Sequence, residues 1–101
     1  MVENIRDADL TIGTTSVLLA IEPAPGKRTT LIVTNTSAAG QVLNMGFGKA
    51  AIAGRGLQLY PGGTWSESME GVFKPSNMAV QIISSAAGGT AAIHERVEGA
   101  F

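Results

Sequence analysis

RTTLIVTNTS at residues 28–37 and GLQLYPGGTW at residues 56–65 decide how this chain reads. In the first stretch Leu31 and Val33 point one way and Thr30, Ile32 and Thr34 the other, and all of these but Leu31 are β-branched. Branching at Cβ suits a pleated, half-buried surface, so the alternation predicts a strand over residues 29–36. In the second, Leu57 and Leu59 alternate with Gln58 and Tyr60 up to Pro61-Gly62-Gly63, and the alternation resumes from Thr64. Proline fixes φ at the second turn position and glycine supplies the positive φ of the third, which predicts a strand, a tight turn and a return strand.

Working outward, Leu10 and Ile12 alternate before a break at residues 13–16, where Gly13 predicts a bulge or a hairpin, and residues 17–21 continue the apolar stretch. EPAPGK at 22–27 ends it, because its two prolines remove ladder donors. Residues 41–47 read as a strand with Leu43, Met45 and Phe47 on one face against Val42 and Asn44; Gly46 and Gly48 mark a bulge or the close approach of another backbone. Residues 49–54 suffice for a single helical turn only. Val72-Phe73 either continues the sheet or forms an edge that Pro75 caps. Residues 78–85 are apolar on both faces, AAGG at 86–89 turns, and residues 90–97 return with Ile93 facing opposite to His94. About seven to eight short strands at this spacing predict an all-β fold, a single small antiparallel β-sandwich or jelly-roll-like barrel. Residues 1–9 read as an N-terminal arm, 10–97 as the β domain and 98–101 as a C-terminal tail.

A chain of 101 residues makes one domain. Charged residues are 15% of it, against roughly 25% in an average globular protein, while 45% are hydrophobic. A surface of Ser, Thr, Ala, Gly and Asn loses little on leaving water, which favours assembly. Net charge is −1 and Lys27-Arg28 is the only adjacent cation pair, so no footprint for a phosphate backbone exists and no nucleic-acid partner is expected. The chain has no cysteine, which removes disulfides, thiolate metal sites and Cys nucleophiles together. No run approaches the length of a membrane span, and the first residues lack a signal-peptide core, so synthesis in the cytoplasm is expected.

Chemistry finds little purchase. His94 is the single histidine, and a zinc site needs several converging N, S or carboxylate ligands, so His94 reads as a strand residue on a solvated or interface face. Asp7 and Asp9 lack the repeat of a calcium loop and suit a polar arm. A Ser-His-acid set would have to draw on His94 with Glu95 or Glu67, without a nucleophile elbow, and Glu67 and Glu70 sit near a turn in poorly related directions. Gly46-Phe47-Gly48-Lys49 fails as a phosphate loop, since alanine follows the lysine and no helix follows the loop. The sequon Asn35-Thr36-Ser37 reads as a turn. No catalytic, metal-binding or cofactor-binding residue and no cofactor is predicted, and the chain is not expected to be an enzyme. Tyr60 and Trp65 flank the Pro-Gly-Gly turn and would serve either as a sugar-stacking platform or as core and interface anchors. With Phe73 and Phe101 they are the interface candidates.

The R-x-x-L-x-V-x-N-x-S of residues 28–37, the Gly-rich Met45-Gly46-Phe47-Gly48 and the G-x-L-x-x-P-G-G-x-W of residues 56–65 together resemble small β-structured virion proteins of bacteriophages, of the capsid decoration, fibre-base and vertex type. The likeness covers roughly residues 10–97. It implies a non-enzymatic subunit on a virus particle, forming a homo-oligomer and contacting the major capsid protein. The alternative from another class is a carbohydrate- or receptor-binding module with a glycan partner.

Overall fold

The computed structural model describes residues 3–23 and 26–99. Among them are eight strands and no helix: β1 (Glu3–Ile12), β2 (Val17–Ala20), β3 (Lys27–Asn35), β4 (Leu43–Phe47), β5 (Leu57–Leu59), β6 (Thr64–Ser68), β7 (Val80–Ser84) and β8 (Gly89–Glu98). β1 pairs with β8, β2 with β7, β3 with β6 and β4 with β5, every pair antiparallel. Further ladders from β3 to β8 and from β4 to β7 complete two four-stranded sheets, ordered β1-β8-β3-β6 and β2-β7-β4-β5. First strand with last, second with second-last, inward to β4 and β5: this is a long hairpin wrapped into two layers, the order of a jelly roll. The all-β sandwich or jelly roll read from the sequence is the fold observed.

Alternation along the strands builds the core between the layers. Leu31 and Val33 of β3, Ala91 and Ile93 of β8, Leu43 and Met45 of β4, and Val80 and Ile82 of β7 turn inward and are buried. Full burial of one such Val, Leu or Ile contributes about 1.5–3 kcal/mol. Thr30, Ile32 and Thr34 face outward from β3, as their spacing predicts, beside Arg96, His94 and Ala92 of β8.

Several segments depart from the sequence reading, each for a physical reason. From Glu3 onward the stretch read as an arm is strand, running along β8 from Glu3 opposite Glu98 to Ile12 opposite Gly89. Its inward positions include Arg6 and Ala8, which blurs the apolar alternation: Ala8 packs on the core, while Arg6 donates from Nη2 to the Leu19 carbonyl. The Pro61-Gly62 turn forms as predicted, with Gly63 N–H donating to the Tyr60 carbonyl at 2.7 Å and Gly62 at φ 83°. It does not close a hairpin, however, since β5 and β6 lie in different sheets. Gly62 N–H donates to the Asn35 carbonyl and Asn35 N–H to the Gly63 carbonyl, which ties the turn to the end of β3 and swings the chain from one layer to the other. The Asn35 side chain fixes the same corner. Its amide donates to the carbonyls of Gln41 and Leu59, both at 2.8 Å, and its oxygen accepts from Ser37 N–H, so the buried sequon asparagine is spent on structure.

Residues 48–56 are irregular, without the helical turn considered for 49–54. They fold over the outer side of β4, and a Cβ on Gly46 would stand 2.6 Å from the Lys49 carbonyl oxygen, the close backbone approach that its glycine signalled. Asn44 anchors the cover, donating to the carbonyls of Arg55 and Leu57 and accepting from Gly54 N–H. Val72 and Phe73 lie in a loop, not in a strand.

Candidate functional site

The sandwich has two lateral sides where its sheets end in unpaired strand edges. β1 and β2 form one, joined by the Arg6 bond to Leu19. β5 and β6 form the other, joined through the Pro61 turn. Among the described residues, the exposed large hydrophobic side chains other than Ile52 and Met78 gather on these two sides.

On the β6 side the inward-facing Trp65 stacks between two rings. Phe73 lies 4.8 Å away at 38°, and Phe47 of β4 lies 6.3 Å away, edge-on at 61°. The Trp65 indole N–H donates to Oε2 of Glu67 at 3.0 Å; Oε1 of this buried carboxylate has no hydrogen-bond partner among the described residues. From the end of β6 the 69–73 loop projects outward. It is held by Ser68 N–H to the Phe73 carbonyl and Gly71 N–H to the Ser68 carbonyl, both 3.1 Å, and by Lys74 Nζ donating to the Met69 carbonyl. These bonds fix its shape while leaving Val72 92% and Phe73 55% exposed. A rigid loop with an apolar tip loses little conformational entropy on contact with a partner.

The β1 side carries a hollow of about 240 Å³ with apolar walls from Ile5, Ile21, Pro23 and Val97 and polar groups from Asn4, Arg6 and Glu95. Glu95 leads into a buried clasp. The Arg28 guanidinium, fully buried, donates from Nε to Glu95 Oε2 at 2.8 Å, from Nη1 to the carbonyls of Ser76 and Met78, and from Nη2 to the Ile21 carbonyl. The fork of donors suits this many acceptors in one plane, and it pins the 76–78 and 21–23 segments to the end of the sandwich.

The remaining candidates do not converge. His94 sits on the outer face of β8, where Nε2 accepts from Arg96 Nε–H and Nδ1 faces Asp7 across the β1 ladder. Glu67 points into the sandwich while Glu70 lies exposed on the turn, so the two share no cleft. Met78 sulfur sits 2.7 Å from where a Gly48 Cβ would stand, filling the space beside the Gly-Phe-Gly-Lys stretch. Among the described residues no group of three or more His, Asp or Glu side chains could hold a metal. No helix among them is long and apolar enough to cross a membrane.

Of the interface candidates, Tyr60 stands 62% exposed at the β5–β6 corner, bonded to Gln58, and Trp65 and Phe73 stack together lower on that side. Trp65 faces inward and Tyr60 outward, so they do not form one platform. Phe101 lies outside the described residues. Sequence reasoning missed Ile5, Ile21 and Val72, which look like ordinary strand or loop apolar residues until topology places them at edges. It also missed Arg28, whose burial has no local signal.

No protein-family model matches the sequence, and no curated protein matches it. Among solved structures, a chain of Bacillus endospore appendages, described as a family of disulfide-linked pili, superposes with a TM-score of 0.67 over 95% of this chain and 84% of that one, at 17% identity. At that identity the likeness speaks for the shared fold.

Proposed function

We propose that this protein is a non-enzymatic structural subunit that acts by assembling with copies of itself. The observation that carries the reading is the gathering of exposed apolar side chains on the two sides where strand edges are unpaired. Such edges are templates for pairing with another chain, and β1 runs ten residues without a bulge or a proline along its register. Covering them in a symmetric assembly removes backbone and apolar surface from water together. The pilus-forming neighbour of the same fold is in keeping with this role. Because this chain has no cysteine, its own assembly would be non-covalent rather than disulfide-linked.

The finer setting follows from the resemblance in residues 28–37 and 56–65: a decoration, fibre-base or vertex subunit on a virion, seated on a major capsid protein. The glycan-binding alternative has less support, since Trp65 spends its ring on Phe73 and Phe47 and leaves Tyr60 alone for stacking. Light scattering on the purified protein tests the main reading. A mass that rises with concentration to multiples of 10.4 kDa is expected, and a 10.4 kDa monomer at every concentration overturns it. Co-sedimentation with empty capsids tests the virion setting separately.

A further inference from the structure

We infer that the 69–73 loop of one copy seats in the Ile5/Ile21/Pro23 hollow of the next, a head-to-tail contact that rests on the self-assembly proposed above. The loop and the hollow lie at the same end of the sandwich. Ser68, at the end of β6, stands opposite Thr30 near the start of β3, and the start of β1 at Glu3 stands opposite Glu98, which also faces Lys27. They also lie on opposite sides, since β1 and β6 are the two edges of one sheet. Sliding a copy along the sheet therefore brings the loop of one molecule to the hollow of its neighbour.

Strand directions agree with that placement. β8 runs against β1, β3 against β8 and β6 against β3, so β6 of one copy meets β1 of the next antiparallel, the sense of every other ladder in the sheet. Chemistry agrees as well. The hollow, at about 240 Å³, falls below the roughly 300–1,000 Å³ usual for small-molecule sites, and its apolar walls suit a side chain such as Val72 or Phe73. A knob and a socket on different surfaces make a heterologous contact, which generates rings or filaments instead of closing as a dimer.

The absence of native cysteine makes the test direct. A Val72→Cys/Ile21→Cys double variant, both positions exposed, is oxidised mildly and run on a non-reducing gel beside each single variant and a Val72→Cys/Ile52→Cys control, whose second position lies on neither side. The inference expects a ladder of dimers, trimers and higher species from the first pair, dimers at most from the single variants, and no comparable ladder from the control. Equal ladders from both pairs, or none from the first while light scattering still reports assembly, overturn this contact and leave self-assembly standing. A monomer by light scattering at every concentration overturns both.

Discussion

The β1 side and the β6 side of this sandwich close the same gap between two sheets by different chemistry. On the β1 side the work is directional: Arg6 reaches the Leu19 carbonyl, and Arg28 gathers Glu95 and three carbonyls. On the β6 side it is volumetric, with Phe47, Trp65 and Phe73 packed ring to ring. Hydrogen-bonded ions can pin loops with few atoms, and they leave a hollow beside them. Aromatic rings fill the gap and leave a loop standing outside it. The two closures thus produce opposite reliefs, and the difference shows how one small β fold acquires both a socket and a knob.

Substitutions can break or sharpen this contrast. Arg28→Met should have the largest effect, a loss of about 3–5 kcal/mol in urea unfolding, because it leaves the buried Glu95 with Arg6 alone, 3.9 Å away, and orphans three carbonyls. A loss below about 1 kcal/mol would mean that the β1 side is held by packing after all. Trp65→Ala should cost about 2 kcal/mol, less than the 3–5 of a fully buried aromatic because Trp65 is only half-buried, and thermal melts would register it. Glu67→Gln is the sharper probe of the β6 side. It keeps an acceptor for the Trp65 indole and replaces a buried carboxyl group that makes no ion pair among the described residues, so stability should change by less than about 1 kcal/mol or rise. A large loss would show that the β6 side depends on ionic closure too. Val72→Asp should leave stability within about 0.5 kcal/mol while lowering the assembled mass, which separates the knob's role from that of the rings behind it.

How far the sequence could be read depended on the range of the forces involved. Pro61-Gly62 forms its turn through bonds within four residues, and Leu31 and Val33 find the core by simple alternation, so both were legible. Gly46 was half legible: the missing Cβ announced a neighbour, but only the fold names it as the Lys49 carbonyl. The passage of β5 and β6 into different sheets depends on bonds to Asn35, far back in the chain, and leaves no local mark. Arg28 is the extreme case, because its four acceptors come from three separate segments, and the same arginine in solvent would read identically. Of the candidate site, the aromatics were legible as large apolar residues near a turn. The hollow was not, since Ile5, Ile21 and Val97 meet only through topology.

The nesting of strand partners also orders events in time. β4 and β5 are neighbours in sequence, whereas β1 has its ladder with β8 alone and most of the chain lies between them. Pairing that must wait for so distant a segment is intrinsically slow, so refolding should zip outward from the β4–β5 centre, and pulsed hydrogen exchange would see protection there before it appears in β1. A nascent chain accordingly holds ten residues of unclaimed backbone until its final strand arrives. The docking of β8 is then a commitment step: before it, β1 of one molecule is free to be captured by the last strand of another.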